Sequence, residues 1–132
     1  MGGIIMRNTN ETKDKNKPYW DEERKAVFVP IINKFLDAKD LCNEEKTWYD
    51  AMKIARQNGK ELPSRKEMLI LAYFVDEINA ILEENGGEKL KGWYWASTEY
   101  SSTTAWYMTF SNGYLYRGYK YFTHSVRAVT KN

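Results

Sequence analysis

Between Trp93 and Phe122 the chain places Trp, Tyr or Phe at about every second or third position and carries only Glu99, Arg117 and Lys120 as charges. A segment so aromatic and so nearly neutral becomes either a buried sheet or a binding face. Most of the tyrosines fall here: Tyr94, Tyr100, Tyr107, Tyr114, Tyr116, Tyr119 and Tyr121. Each couples a stiff apolar ring to a polar tip, and here they are interleaved with Ser, Thr, Asn and Gly, a mixture closer to binding loops than to a core. The period is two. Trp93 and Trp95 share one face of a strand, while Trp106, Met108 and Phe110 share a face of another, opposite Ala105, Tyr107 and Thr109. Ser111-Asn112-Gly113 predicts a hairpin turn, with Asn-Gly supplying positive φ. The returning strand runs from Tyr114 to Tyr116 and is broken at Gly118 by a bulge or loop. Ser125 to Val129 is expected to close the sheet.

Upstream the punctuation is helical. Thr47 followed by Asp50 resembles a cap, and Trp48, Ala51, Met52 and Ala55 fall on one helical face that ends at Asn58-Gly59. Ser64 and Glu67 form a capping box for a second helix through Leu69 and Ala72. A third stretch or continuation, Asp76 to Glu84, stops at Asn85-Gly86-Gly87. Earlier still, Lys25 to Ile31 is a short β-type run that Pro30 confines to an edge or a strand end. Arg7 to Lys17 contains no apolar residue, so residues 1–18 are expected to be a disordered arm or linker, with a single domain over 19–132. Strand, two or three helices, then a small twisted antiparallel sheet is an α+β plan.

Composition narrows the function classes. The 132 residues have room for one domain with one core, and twenty basic against eighteen acidic side chains are near balance. With no basic run, a nucleic-acid partner is not expected. The longest apolar run, Met68 to Val75, falls far short of the roughly 20 residues that span a bilayer, so no membrane insertion is expected. The opening residues lack the features of a signal peptide. Cys42 has no Cys or His neighbour to make a disulfide or a metal site, and reads as a small core or surface residue. No Ser-His-Asp order, HExxH run, phosphate-cradling Gly loop or convincing carboxylate pair is present, which argues against an enzyme.

An ordered series of motifs carries a family resemblance: Trp48-Tyr49-Asp50-Ala51-Met52, Gly59-Lys60-Glu61-Leu62-Pro63-Ser64, Gly86-Gly87, Gly92-Trp93-Tyr94-Trp95-Ala96-Ser97-Thr98-Glu99, Ala105-Trp106, Phe110-Ser111-Asn112-Gly113 and Val126-Arg127-Ala128-Val129. From about Lys39 to Thr130 the chain resembles C-type-lectin-like domains of the Lcl C-terminal type, and within them the variable proteins of bacterial and phage diversity-generating retroelements. Those systems rewrite adenine-bearing codons near the end of a gene on a fixed scaffold. The resemblance implies a variable segment within 93–124. Its scaffold would be Trp93, Trp95, Ser97, Thr98, Glu99, Ala105, Trp106, Phe110, Gly113, Lys120, Val126, Arg127 and Val129. The candidate ligand-binding residues are Tyr100, Ser102, Thr104, Tyr107, Thr109, Tyr114, Tyr116, Arg117, Tyr119, Tyr121, Phe122 and His124. Tyr116, Tyr119, Tyr121 and Phe122 are the strongest of these, lying in or beside a loop with no evident core partner.

Strands favour aromatics in any case, so Trp93, Trp95, Trp106 and Phe110 are expected in the core. His124, with no nucleophile or orienting acid nearby, reads as a surface contact residue. Arg127 predicts a structural ion pair with Glu99 or Glu67. The fold type also hosts formylglycine-generating enzymes, whose chemistry needs paired cysteines that this chain lacks. Calcium-mediated sugar binding needs clustered carboxylate and amide oxygens, and no Glu-Pro-Asn or Trp-Asn-Asp run occurs. Calcium-independent, cofactor-free recognition of a cell-surface protein or glycan of a host or neighbouring cell is the expectation, with display on a phage virion or a cell surface. Two alternatives stand beside it: a non-diversified lectin-like adhesin or carbohydrate-binding module, and a structural virion or envelope domain.

Overall fold

Two side-chain caps determine where the helices begin. The Thr47 hydroxyl accepts the Asp50 N–H at 3.2 Å and opens helix α1, Trp48–Gln57, which buries Trp48, Ala51 and Ala55. The Ser64 box is reciprocal: its hydroxyl accepts the Glu67 N–H while a Glu67 carboxylate oxygen accepts the Ser64 N–H at 2.9 Å. It opens α2, Arg65–Tyr73. The chain kinks at Phe74 and continues as α3, Val75–Glu84. Both caps, and the stops at Asn58 and Asn85, stand where the sequence places them.

The computed structural model describes residues 15–132, so most of the expected N-terminal arm lies outside the described residues. Within them the protein is α+β, with three α-helices and two antiparallel sheets. The first sheet contains β1 (Tyr19–Asp21), β2 (Ala26–Val29), β3 (Lys34–Asp37) and β7 (Val129–Lys131), in that spatial order. Val27 lies opposite Leu36, and Leu36 opposite Val129. The second contains β4 (Trp93–Glu99), β5 (Thr104–Thr109) and β6 (Tyr114–Tyr119). The main core, including Val27, Leu36, Met68, Leu71, Ile78 and Met108, joins the first sheet, α2, α3 and one face of the second. A smaller cluster of Trp48, Ala51, Ala55, Leu62, Trp95, Ala105 and Val126 covers part of the opposite face with α1.

Several expectations change. The expected strand is present and ends at Val29, just before Pro30, but β1 and β3 flank it and with β7 complete the first sheet. Each is three or four residues bounded by charge, too short for a periodicity to register. The closing strand begins only at Val129; residues 125–128 run extended beside other elements, with the Ser125 N–H donating to the Trp93 carbonyl at 2.9 Å and the Leu41 N–H to the Val126 carbonyl at 2.8 Å. Gly118 makes no bulge, since β6 continues through it in regular register with Ala105, and the irregularity lies instead in β4 between Trp95 and Glu99. A Cβ at Gly118 would sit 2.9 Å from the Tyr107 ring, so close packing across the sheet is what glycine permits there. The hairpin forms at its expected position, as a four-residue loop between Thr109 and Tyr114 with the positive φ at Gly113 alone.

Arg127 pairs with neither Glu99 nor Glu67. Its guanidinium, 1% exposed, donates to Asp40 Oδ1 at 2.8 Å and to the carbonyls of Asp37 at 3.1 Å and Glu88 at 2.8 Å, while the Tyr94 hydroxyl donates to the same Asp40 oxygen at 2.9 Å. Glu67 serves its cap and Lys34 instead, and Glu99 serves Lys120. Arg127→Ala leaves Asp40 and these carbonyls uncompensated, and is expected to cost about 3 kcal/mol in urea unfolding; that is the lower end for a broken buried pair, because the Asp40 side chain remains 26% exposed. Arg117→Ala, at an exposed site, is expected to change stability by about 0.5 kcal/mol or less.

Candidate recognition surface

The pleat of the β5–β6 hairpin sorts the aromatic residues onto two faces. Residues opposite one another share a face, so Tyr107 with Tyr116 and Thr109 with Tyr114 point one way, and Trp106 with Arg117 and Thr104 with Tyr119 the other. The first face carries a run of rings. Tyr116 stacks on Tyr107 with centroids 5.8 Å apart, Tyr107 lies 5.8 Å from Trp93, and Tyr114 is 6.5 Å from Tyr116. Tyr114 and Tyr116 are exposed, Tyr107 is half-buried, and its phenol is pushed up by burial and by the neighbouring Tyr116.

The second face bears a cationic cluster. The Arg117 guanidinium lies 4.1 Å from the Tyr100 ring centroid and 5.7 Å from that of Trp106, while Arg65 approaches Trp106 at 5.2 Å. Beyond the end of β6, Tyr119 meets Phe122 edge-on at 5.6 Å, and Tyr121 lies 6.2 Å from Tyr49 of α1. Lys120 fastens this loop. Only 2% exposed, it donates to Glu99 Oε2 at 2.5 Å and to the Ser102 carbonyl at 3.0 Å, with its ammonium 4.5 Å from the Trp48 ring centroid.

Of the twelve candidates, Tyr100, Ser102, Tyr114, Tyr116, Arg117, Tyr119, Tyr121 and Phe122 are exposed, and Thr104 and Tyr107 are half-buried. Thr109 and His124 are corrections. Thr109 is buried, and its hydroxyl donates to Asn112 Oδ1, which also accepts the Tyr114 N–H at 3.0 Å; its role is to build the turn. His124 is 4% exposed, enclosed by Tyr107 at 4.3 Å, Trp95 at 4.5 Å and Trp93 at 5.6 Å, and neither ring nitrogen has a hydrogen-bond partner among the described residues. Its backbone is bound in both directions to Lys46. Trp93 is corrected in the opposite sense: expected in the core, it is 52% exposed, because the cover that buries Trp95 stops short of the strand's first residue. Trp106, also expected in the core, is half-buried against it.

Trp93, Tyr49 and Arg65 join the surface without having been among the candidate contact residues. A signal existed for Arg65, since its helix offers Met68 and Leu69 three and four residues on, and no carboxylate to pair it. The clefts lined by Lys34, Lys60 and Glu61 and by Asp40, Glu88 and Tyr94 lie apart from these rings. In the first, Lys34 pairs with Glu61 and Glu67, and Lys60 with Asp37. Comparison with known proteins finds no matching family model and no matching curated protein.

Burial holds the His124 pKa below its ordinary value near 6.5, outweighing the opposite pull of Glu45. The unfolded chain therefore takes up this proton first as pH falls. Stability contributed by neutral His124 is complete above about pH 6.5 and declines below it, toward the depressed folded-state value. The urea midpoint is expected to fall between pH 7.5 and pH 5.5 more steeply in the native protein than in His124→Phe, which keeps a ring in the cage without a titrating group. At pH 7.5 His124→Phe is expected to be as stable as the native protein or more so, since two unsatisfied nitrogens are removed.

Proposed function

We propose that this chain is a calcium-independent ligand-binding domain of the C-type-lectin-like kind, whose Tyr/Ser/Thr-rich surface is diversified by a retroelement and recognises a cell-surface protein or glycan from a phage virion or a cell surface. The observation that carries the reading is the partition of residues 93–124. Tyr100, Tyr114, Tyr116, Tyr119, Tyr121 and Phe122 project into solvent, whereas Trp95, Ala105, Phe110 and Lys120 of the same segment are buried. Exposed rings of this number and closeness exceed what one sheet face can bury, and they supply large contact area at small entropic cost. In this reading the domain performs recognition, needs no cofactor and has no catalytic residue.

Trp93 favours a second, narrower reading. An exposed indole beside Tyr107 and Tyr116 makes a platform on which a sugar ring can stack, so a metal-independent carbohydrate module without diversification uses the same face.

The deciding experiment is to sequence the genomic neighbourhood. A near-copy of the segment encoding 93–129 that differs only at adenines, beside a reverse transcriptase gene, is the expected result, with mismatches at codons for exposed residues such as Tyr100, Tyr114 and Tyr116. Finding neither sinks diversification and leaves the lectin-like module. A glycan array probed in calcium and in EDTA then separates the ligand classes: equal binding in both, lost in Trp93→Ala, is the carbohydrate outcome.

A further inference from the structure

The aromatic run of Tyr114 and Tyr116 and the cationic cluster of Arg117 lie on opposite faces of one hairpin, so a ligand resting on either face misses the other. What borders both is the outer edge of β6. This strand is six residues long and, among the described residues, pairs only with β5 and makes no further backbone hydrogen bond apart from contacts at its two ends. Other sheet edges are covered or short. On β4 the Trp95 N–H donates to the Ser125 carbonyl and the Ser97 N–H to the Pro63 carbonyl; β7 exchanges bonds with Glu61; β1 has three residues. Native edges of this length are ordinarily blunted by proline, a bulge or charged side chains; β6 has neither proline nor bulge, and Arg117 is its single charge.

On one flank that edge carries a cation, Arg117, and Arg65 of α2 approaches the same Trp106 ring. Among the described residues neither Arg65 nor Arg117 has an acidic partner, and both are held against Trp106. The carboxylates that stand near them in sequence are engaged, Glu67 by its cap and Lys34, and Glu99 by Lys120. Stacking on an aromatic face leaves the guanidinium N–H fork free at its rim, where a carboxylate can take two bonds.

We infer that the outer edge of β6 accepts an extended, acidic segment of a partner protein as a fourth strand of this sheet. Main-chain bonds to β6 supply affinity. Alternate side chains of the added strand meet Tyr114 and Tyr116 on one face and Arg117 and Tyr119 on the other, and carboxylates on the second face pair with Arg117 in the field of Arg65. A second copy of this chain fits less well, because two β6 edges related by a two-fold axis bring Arg117 near its own copy on one flank. The inference rests on the proposed recognition role and names its ligand class.

The test is a displayed library of 12-residue linear peptides, panned on the full chain with the Arg65→Glu/Arg117→Glu variant as counter-selection. Enriched peptides are expected to alternate Asp or Glu with β-branched or aromatic residues, to slow amide exchange at Tyr114–Tyr119, and to bind the variant about 10- to 100-fold more weakly. N-methylation of alternate peptide nitrogens is expected to abolish binding. Arg117→Gln, which removes one charge without reversing it, is expected to fall between the native protein and the double variant.

Peptides without acidic enrichment, peptides whose binding leaves β6 exchange unchanged, a library that yields no binder, or a β6-paired dimer in sedimentation each overturn strand addition. The recognition role fails as well only when the native chain binds neither peptide nor glycan. Glycan binding that is lost in Tyr116→Ala and unaffected by the arginine variants keeps that role while removing the strand.

Discussion

One buried cation joins segments that the chain keeps far apart. Arg127 ties the end of β3 through the Asp37 carbonyl, the following loop through Asp40, and the link between α3 and β4 through the Glu88 carbonyl. Tyr94 of β4 completes the set by donating to Asp40. Burial, together with the Asp40 charge against the opposing pull of Arg127, drives the Tyr94 phenol far above its ordinary range, so it stays a neutral donor. A guanidinium inside a protein is tolerated only when its donors are met, and here a carboxylate and backbone carbonyls meet them. The two sheets share no strand, so this network, with the apolar core, fixes the first relative to the second.

Lys120 repeats the device at the far end of the second sheet. Its ammonium binds Glu99 on β4 and the Ser102 carbonyl in the β4–β5 loop while resting on Trp48 of α1. A loop carrying Tyr119, Tyr121 and Phe122 into solvent would otherwise lose much of its ring placement to conformational entropy. Anchoring the residue between them from below leaves the exposed rings directed and the backbone fixed, which lowers the ordering cost of any contact they make.

Local signals were legible in the sequence and distant ones were not. The Thr47 cap and the Ser64–Glu67 box need only neighbours three residues away, and both form. The period-two faces of β5 and the turn at Asn112-Gly113 are equally local. The Arg127 partner is 87 residues away, and nothing in the spacing of acids distinguishes Asp40 from Glu67 or Glu99. His124 and Trp93 exchanged places for the same reason. Alternation assigns a face but not how far its cover extends, and the cover here is α1 with residues 124–126, which reach Trp95 and leave Trp93 outside. A histidine in a polar Tyr-Phe-Thr-His-Ser run reads as surface until the pairing of its backbone with Lys46 turns the ring inward.

Tyr107 shows where the boundary between framework and proposed recognition surface falls. A position free to accept many side chains must have space around it and nothing depending on it, and Tyr114 and Tyr121 meet that condition. Tyr107 does not. Its ring closes one wall of the His124 cage, packs over the gap left by Gly118, and contacts Trp93, Trp95 and Tyr116. A small polar residue there would admit water to the unsatisfied imidazole and withdraw the support beneath Tyr116, so its effect on binding would travel through the framework as well as through lost contact. On physical grounds Tyr107 belongs to the scaffold that holds Tyr116 and Trp93 in place, although its residue type groups it with the tyrosines proposed to vary.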